Sequence, residues 1–469
     1  MPSVDNRYLN AEQIDAVGKT AIGKSFREIA KGVEINESSK GGLGNFIEEN
    51  LFHYPANNDA NPDFKEAGIE LKVTPIKKVT IKKKETYSAK ERLVLDVINY
   101  EEEYLKTFET SAFWHKNAHL YLMFYEYIKG VSKYDLKIRY TMLFNYPEED
   151  LIIIKQDWEY IINKIKNGLA HELSEGDTMY LGACPKGADS SSVRRQPFSS
   201  VPAMQRAYCL KSSYMTSIVR NYVVPGMDKN IASVEELHKK TFEEIILDRF
   251  SPFKGISEHV LLPKYNISEN NKNKYELLAR EILGIKGKLT EAPEFVKANI
   301  TVKCIRMQYN GSVKESVSFP AFDFCEIVNQ TWETSELREQ FETQKYLFVV
   351  FKEMAYKSNE YAFEKVVLWN MPIKVLDTEV RKVWEKTVEV LKTGNILTGE
   401  YTTQGGRINN FPKMSQNLVS HVRPHGSDMF SVSKLPVPDK VSGESVFTRQ
   451  CFWLNGRYIA KVVGDKDGK

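Results

Sequence analysis

The chain has 469 residues, 42% of them hydrophobic and 27% charged, which is the composition of a soluble globular protein large enough for two or three domains. The formal net charge is only +3, so no overall basicity indicates a nucleic-acid partner. Five scattered cysteines without a CxxC pair predict reduced thiols in a cytoplasmic protein, and no apolar run approaches the about 20 residues that a membrane span needs.

The first element with a functional pattern is a helix predicted from Leu43 to Leu51, where apolar residues recur at helical spacing. Glu48 and Glu49 flank the apolar stripe on opposite sides. Helical geometry alone does not choose between them. Either carboxylate could therefore be added to a site that the next segment forms.

The next segment places Pro62-Asp63 ahead of Gly68 and a short predicted strand over residues 69–73. Strand side chains alternate between faces, so Glu70 and Lys72 share the face opposite Leu71, and the turn can bring Asp63 beside them. Two carboxylates can bind Mg²⁺ with oxygen ligands, and the ammonium of Lys72 can orient a water or offset charge on a phosphate. The alternative is an exposed strand face, because this spacing often arises by chance.

Three basic segments follow in chain order. The run Lys77-Lys78 and 82–84 is either a solvated hairpin or a clamp on the DNA backbone, with neither favoured. His115-Lys116 is a polar cluster that could contact a phosphate. Farther on, Pro185-Lys186-Gly187 forms a rigid tip whose lysine could donate to guanine O6 and N7, and Arg194 follows it. An ordinary surface loop is the competing interpretation of that tip.

The chain also repeats itself. Phe108-Glu109-Thr110-Ser111 is echoed by Trp332-Glu333-Thr334-Ser335, and each is preceded by a Lys-Glu pair at the same interval. Helices centred on Trp158 and Trp384 end at a glycine at the same distance. Helices alternate with strands in each half, which predicts a duplicated α/β or mixed α+β core. The predicted domains are 1–225, a helical linker 226–285, and 286–469.

The second copy lacks the carboxylate pair. Setting Lys303 against Lys72 places Thr301 at the position of Glu70 and Glu294 at the position of Asp63. A second loop, Arg423-Pro424-His425, remains as a candidate DNA-binding element. The second copy is therefore predicted either to bind DNA without cutting it or to serve as a scaffold.

Residues 40–76 resemble the MutH family of endonucleases, through Lys40 to Glu48, Pro62-Asp63-Phe64 and Gly68 to Lys72. The resemblance implies that Asp63, Glu70 and Lys72 are the catalytic triple, that Glu48 is the helical carboxylate, and that Lys116 and Lys186 act in catalysis and base recognition. Two positions depart from the mismatch-repair members. Cys184 replaces an arginine, and Cys209 falls near a tyrosine that senses adenine methylation, so methylation discrimination is in doubt.

The length and the second copy resemble one branch of that family, the Sau-type restriction endonucleases that recognise GATC. This resemblance implies a restriction-endonuclease-like PD-(D/E)xK fold, Mg²⁺, and cleavage 5′ of the G on both strands, with the second copy as an allosteric DNA-binding domain. The implied partners are GATC-containing DNA and a cognate methyltransferase. One active site cuts one strand, so double-strand cutting requires either a DNA-induced homodimer or sequential nicks with rebinding, and the sequence does not choose between them. The residues expected to contact DNA are Lys40, Pro185, Lys186, Gly187, Arg194, Lys211, Arg423 and His425.

Two other functions compete with this one. A MutH-like nicking endonuclease of mismatch repair would need only one copy and an activating partner, so the duplication argues against it. A non-catalytic DNA-binding regulator would not need the intact triple Asp63, Glu70 and Lys72.

Overall fold

The computed structural model describes residues 8–32, 35, 42–55, 60–81, 83–187, 191–223, 230–401, 403, 407–426 and 430–464. The chain divides into two compact units, Met1–Phe242 with Pro293–Asn299, and Glu243–Ala292 with Ile300–Lys469. Over these described ranges, no helix combines the length and the apolarity that crossing a membrane requires.

The first unit carries the candidate site. Its strands are β1 (Glu70–Ile81), β2 (Lys84–Ala89), β3 (Leu93–Val97), β4 (His119–Glu126), β5 (Ile138–Asn145), β6 (Leu181–Pro185), β7 (Val193–Gln196), β8 (Ser199–Met204) and β9 (Arg206–Leu210). Its helices up to residue 242 are α1 (Ala11–Lys19), α2 (Phe26–Ile29), α3 (Leu43–Ile47), α4 (Tyr100–Glu103), α5 (Ala112–Asn117), α6 (Glu148–Lys166), α7 (Ser212–Val223) and α8 (Val234–Leu237).

The later elements follow in chain order. The helices are α9 (Phe242–Phe250), α10 (Glu258–Lys264), α11 (Lys274–Ile282), α12 (Pro293–Lys297, which packs in the first unit), α13 (Phe324–Ile327), α14 (Glu336–Thr343), α15 (Ile373–Val375), α16 (Arg381–Thr393) and α17 (Gly456–Gly464). The strands are β10 (Ile300–Met307), β11 (Val317–Ala321), β12 (Lys345–Glu353), β13 (Tyr361–Asn370), β14 (Leu397–Tyr401), β15 (Arg407–Asn409), β16 (Ser420–Pro424), β17 (Val432–Lys434), β18 (Val446–Thr448) and β19 (Gln450–Leu454).

Two sheets organise the first unit. The larger has the order β2-β1-β4-β5, in which β1 runs parallel to β4 and the other neighbours are antiparallel. The smaller has the antiparallel order β3-β9-β6, and β7 and β8 form a separate hairpin. Parallel β1 and β4 need a long connection, which is supplied by β2, β3, α4 and α5. The larger sheet therefore carries Glu70 and Lys72, and the smaller carries Pro185 at the end of β6.

Helix α6 attaches the smaller sheet to the core of the unit. Its apolar stripe is buried, with Ile154 and Ile161 fully inaccessible. Asp157 on this helix accepts hydrogen bonds from the backbone N–H groups of Met179, Tyr180 and Leu181, at 2.6–2.9 Å. These bonds satisfy backbone donors at the start of β6, because the buried segment offers them no water.

The second unit has the same plan. Its larger sheet is β10-β12-β13 with β10 parallel to β12, and its smaller sheet is β11-β19-β16, again antiparallel. In the first unit Glu70 pairs with Leu120, and in the second Thr301 pairs with Tyr346. The mixed α/β architecture and its duplication are thus as predicted.

The second unit begins well before residue 286. Helices α1 and α9 have nine residues each, and each precedes a glycine that bonds to a strand of the sheet. Gly23 N–H donates to Ile138 O and Gly255 N–H donates to Phe363 O, both at 2.8 Å. Residues 243–285, which the sequence analysis placed in a linker, therefore supply the first helices of the second unit. Helical periodicity alone does not distinguish such helices from a linker.

Candidate active site

A tight turn brings Asp63 next to Glu70. Phe64 and Ile69 form an isolated antiparallel bridge, and Gly68 closes the turn with a φ of +66°, a conformation that favours glycine. The backbone N–H of Asp63 donates to Glu70 Oε2 at 3.1 Å, and the N–H of Leu71 donates to Asp63 Oδ2 at 3.0 Å. The two carboxylates therefore lie together at the start of β1.

Two lysines border the Glu70 carboxylate. Lys72 Nζ lies 2.7 Å from Glu70 Oε1, and Lys116 Nζ lies 3.7 Å from the same oxygen. The Glu70 side chain is only 3% exposed, while those of Lys72 and Lys116 are 19% and 16% exposed. Lys72 shares the Glu70 face of β1 because they are two residues apart. Lys116 arrives from the end of α5.

Glu48, not Glu49, faces this group. The chain passes from α3 into a π-helical turn, Glu48–Phe52, which ends at His53 with a φ of +59°. Single π-helical turns of this kind often occur at functional sites. Glu48 is half-buried and interacts electrostatically with Glu70, Lys72 and Lys116, whereas Glu49 is exposed. The structure thus decides between the two glutamates.

All three carboxyl groups are held in an environment that disfavours their charge. Burial raises the pKa of Glu48, and the charge of Glu70 raises it further. Burial also raises the pKa of Asp63, with a further contribution from Glu48. Burial raises the pKa of Glu70 as well, although Lys72 opposes this effect. Oxygen ligands whose mutual repulsion a cation would relieve fit a hard divalent ion.

The described residues do not form a closed metal cage. Over those ranges, no group of three or more His, Cys, Asp or Glu side chains is arranged to hold an ion by itself. A site that leaves positions open for water and substrate is the kind that Mg²⁺ usually occupies, since it keeps several waters. Asp63 and Glu70 would hold the ion, with Glu48 beside them.

Three side chains that support the site, Asn61, Asp96 and Asn117, have no functional signal in the sequence. Asn117 Nδ2 donates to Asp96 Oδ2 at 2.6 Å, and the Asp96 carboxyl interacts electrostatically with Lys72 and Lys116. His115 Nε2 lies 3.1 Å from Asn61 Oδ1, just ahead of the Pro62-Asp63 turn. Neither contact has a local sequence signal, because the partners are 21 and 54 residues apart.

The candidate DNA-recognition loop, Pro185–Gly187, leaves the end of β6. Lys186 is exposed, and its backbone N–H donates to Gln205 O at 2.8 Å. Gly187 has a φ of +143°, and a Cβ there would lie 2.4 Å from the Ser192 Cβ, so the position requires glycine. Arg194 is exposed on β7 and donates to the Gln205 side chain at 3.2 Å.

Two of the expected DNA contacts have a different outcome. Lys211 is 1% exposed, and its Nζ donates to Thr178 O at 2.6 Å, so it is a structural residue and the DNA-binding prediction for it is wrong. Its ammonium satisfies a buried carbonyl, a contact that its sequence position does not reveal. Lys40 lies outside the described residues.

Cys184 and Cys209 lie together in a small buried cluster at the base of the recognition loop. Cys184 is 1% exposed and Cys209 is fully buried. A hydrogen bond from Cys209 lowers the pKa of the Cys184 thiol. Neither side chain is accessible to a base in this arrangement. The position before Pro185 therefore packs the strand pair in this protein.

The second unit repeats the strand positions without the carboxylates. Thr301 Oγ1 accepts from Gln344 Nε2 at 2.5 Å, and Glu294 lies in the first unit, where it accepts from the N–H groups of Ile231 and Ala232. Arg423 and His425 are both exposed, and the Arg423 guanidinium lies 5.2 Å from the ring centroid of Trp453.

Comparisons with known proteins agree with this architecture. The family model described as the DNA mismatch repair enzyme MutH matches residues 52–157 and 283–383. The type II restriction enzyme Sau3AI of Staphylococcus aureus is 39% identical over 492 aligned residues, covering 98% of this chain and 99% of that protein. The DNA mismatch repair protein MutH of Shewanella woodyi is 31% identical, over 38% of this chain and 76% of its own length. That of Vibrio vulnificus is 26% identical, over 42% and 88%.

Proposed function

This chain belongs to the MutH-related type II restriction endonucleases, and from that membership we propose that it cuts both strands of duplex DNA at GATC, 5′ of the G, with Mg²⁺ as the cofactor. The observation that carries the proposal is the contact group around Glu70. One buried carboxylate lies against the Asp63 turn on one side and against two lysines on the other. Such a group suits phosphodiester hydrolysis.

The carboxylates are the proposed metal ligands. Asp63 and Glu70 would hold Mg²⁺, and Glu48 would adjust the local charge. When bound, the ion supplies Lewis-acid polarisation of the phosphate and a bound water of lowered pKa. The raised pKa of each carboxyl supports this assignment, because the protein keeps these groups close although repulsion and burial oppose their ionisation.

The lysines are the proposed groups for the reacting water and the phosphate. Lys72 has its ammonium on the same oxygen of Glu70 that Lys116 approaches, so both cations lie at one edge of the carboxylate. One ammonium would orient the attacking water and the other would offset the charge that develops on the phosphate oxygens. An arginine at position 72 would not fit the same role, since a planar fork differs in reach from a compact ammonium.

Recognition of GATC is assigned to the loop Pro185–Gly187. Lys186 is exposed at its tip, and its backbone N–H is already bonded to Gln205 O, which limits the backbone entropy lost when the residue orders on DNA. A lysine in the major groove donates to guanine O6 and N7. Arg194 on the adjacent hairpin would contact the phosphate backbone.

The second copy is proposed to be a DNA-binding effector that does not cut. It has a threonine at the position of Glu70, and it exposes Arg423 on β16 and His425 just after that strand. We assign the catalytic domain to residues up to about 242 with 293–299, and the effector domain to the rest. This replaces the boundaries 1–225, 226–285 and 286–469 expected from the sequence.

One catalytic copy per chain cuts one strand, so double-strand cleavage calls for either two chains meeting on DNA or sequential nicks with rebinding by one chain. We propose that two chains meet on GATC-containing DNA, and that a cognate methyltransferase of the same restriction-modification system protects host sites. Two observations support the pairing of chains and the methyltransferase. The described residues of each chain contain one cluster of candidate catalytic carboxylates, around Glu70, and the chain belongs to a family of restriction endonucleases.

A plasmid digest tests the proposal as a whole. Purified protein with Mg²⁺ should convert plasmid DNA into discrete double-strand fragments whose ends map to GATC, and EDTA should prevent this. Accumulation of open circles would instead indicate a nicking enzyme of the MutH type. Supercoiled plasmid that is bound but never cut would indicate a regulator. Fragment ends at another sequence would overturn the GATC assignment and leave the nuclease assignment intact.

A further inference from the structure

The second unit contains a basic cavity at the strand position of its lost catalytic group. The Lys303 cavity, as we call it, has a volume of about 500 Å³ and is lined by residues 271–276 and 302–304 together with Arg306 and Glu315. Cavities of about 300–1,000 Å³ commonly hold small ligands or parts of larger ones. All its lining residues belong to the second unit.

Strand register places Lys303 where Lys72 stands in the first copy. Lys72 pairs with Leu122 on β4, and Lys303 pairs with Phe348 on β12, in the same parallel arrangement. Thr301 then takes the position of Glu70, and Gln344 rather than a lysine donates to it. The lysine of the catalytic triple is therefore retained although its carboxylate neighbour is gone.

The helical carboxylate is lost as well. The π-helical turn after α3 ends at His53, and α11 ends before Gly284, both residues with positive φ. Glu48 lies five residues before His53, and Ala279 lies five residues before Gly284. The residue preceding each of them, Ile47 or Leu278, is fully buried, so Ala279 corresponds to Glu48. In the first copy three carboxyl groups outnumber two ammonium groups. In the second copy a threonine and an alanine stand at the positions of Glu70 and Glu48, so both of these carboxylates are lost.

The charges that remain around the cavity favour an anion. Lys274 is paired with Glu258 at 2.6 Å, and Arg306 is paired with Glu315. Within the described ranges no carboxylate lies within ion-pair distance of Lys303, whose pKa burial lowers. Lys272 adds an exposed cation, and the exposed Glu276 carboxylate interacts electrostatically with Lys303. Lys303 is thus a partly desolvated ammonium that an anion in the cavity would stabilise.

The first turn of α11 adds backbone donors. Asn273 caps this nine-residue helix without a side-chain capping hydrogen bond, and Lys274, Tyr275 and Glu276 form its first turn along the cavity. The N–H groups of Asn273 and Lys274 already donate to Asn271, so the donors offered to a ligand are those of Tyr275 and Glu276. The N-terminus of a helix carries unpaired N–H groups and a partial positive charge, a combination that binds phosphate. The helix terminus, on α11, and Lys303, on β10, line the same cavity.

We propose that the Lys303 cavity binds a phosphodiester group of the DNA held by the second copy, without hydrolysing it. This inference rests on the proposed effector role of that copy and specifies the group that makes the contact. The first copy has a net acidic site and needs a cation before it can receive a phosphate. The second copy has exchanged that site for one that receives the phosphate directly.

The test uses full-length protein and the stimulation of single-GATC plasmid cleavage by an added GATC duplex. We expect Lys303→Met to raise the duplex concentration for half-maximal stimulation about tenfold, which corresponds to one charge-assisted contact. The slope of the logarithm of this apparent affinity against the logarithm of salt concentration should fall in magnitude by about 1. Lys392→Met on α16, an exposed lysine away from the cavity, is the matched control and should match wild type. An unchanged half-maximal concentration in Lys303→Met would overturn the inference.

A second measurement separates a lost contact from a damaged fold. Activator duplexes with a single neutral methylphosphonate are scanned position by position. One substitution should weaken activation of wild type about tenfold and have no further effect on Lys303→Met. If the loss from Lys303→Met and the loss from the methylphosphonate were additive at every position, the contact would be refuted. Inorganic phosphate that competes only with wild type, while no methylphosphonate has an effect, would overturn DNA as the source. A wild type that no duplex stimulates would instead refute the effector proposal.

Discussion

The side-chain amide of Asn117 donates a 2.6 Å hydrogen bond to the carboxyl group of Asp96. Asp96 is on β3 of the smaller sheet, which leads through β9 to the recognition loop, and Asn117 directly follows Lys116 at the end of α5. This bond therefore joins the sheet that carries Lys186 to the element that carries a candidate catalytic lysine.

Removal of that bond should affect cleavage more than DNA binding. Asn117→Ala leaves the half-buried Asp96 carboxyl without its amide donor, which costs about 1–3 kcal/mol of folding free energy and frees the end of α5. We expect a lower kcat with little change in KM, measured on oligonucleotide substrates below the unfolding temperature. Asn145→Ala, an exposed asparagine that bonds to His119, is the control. Equal losses in kcat for both variants would contradict the role.

Loss of either metal-binding carboxylate should abolish cleavage and spare binding. In Asp63→Ala and Glu70→Ala we expect no detectable double-strand product, while specific affinity in Ca²⁺ stays within about tenfold, or 1.4 kcal/mol, of wild type. Gel shifts with cognate and non-cognate duplexes measure this. If binding fell in proportion to cleavage, the two residues would be shaping the fold instead of the reaction.

Glu48 should lower the free energy of unfolding of the metal-free protein by an amount that depends on pH. Its folded-state pKa is raised above the unfolded value, so the group stabilises the metal-free protein below the unfolded pKa and loses that contribution as pH rises through the folded pKa. In EDTA at about pH 7, Glu48→Gln should therefore unfold at a higher urea concentration than wild type, with a free energy of unfolding larger by about 0.5–2 kcal/mol. This gain in stability should shrink toward acidic pH. The exposed Glu49→Gln should show no gain. A destabilised Glu48→Gln would contradict the prediction.

Lys186 should carry specificity more than general affinity. Lys186→Ala is expected to lower affinity for GATC duplexes by about 1–3 kcal/mol and to leave non-specific binding nearly unchanged. Arg194→Ala, on the neighbouring hairpin, should weaken both kinds of binding alike and reduce the salt slope. Fluorescence anisotropy over a salt series measures both effects. An unchanged specificity ratio in Lys186→Ala would exclude the loop as the base reader.

The first unit should depend on a helix that comes from beyond residue 290. Lys297 Nζ on α12 lies 2.6 Å from Asp150 Oδ1, and Tyr214 donates to the other carboxylate oxygen at 3.0 Å. Lys297→Met leaves a buried carboxylate unpaired and should cost about 3–5 kcal/mol. The double variant with Asp150→Asn should recover much of this loss, as measured by urea unfolding. Additive losses would show that the ion pair is not the cause.

The same contact changes how a truncated protein should behave. A fragment that ends near residue 242 lacks α12, and so it also loses the bonds from Ile231 and Ala232 to Glu294. Weak cleavage by such a fragment would therefore not by itself demonstrate allostery. The structure gives a second cause, an incomplete catalytic unit, which unfolding measurements on the fragment would reveal.

The residue pattern around β1 determined the central part of the candidate site. A period of two places Glu70 and Lys72 on one face, and Gly68 permits the turn that returns Asp63 to them. The loss of the carboxylate pair in the second copy was also visible, because the two strands have the same spacing. These features are local, and local geometry follows from neighbouring residues.

Only the tertiary structure decided the rest. It selected Glu48 over Glu49, buried Lys211, joined Asp96 to Asn117, and returned α12 to the first unit. Each outcome depends on which strands and helices pack together across tens of residues. Side-chain periodicity indicates whether a residue lies on the inner or the outer face of its helix or strand. The residue that it contacts there is set by the register of the sheets and by the burial that they create.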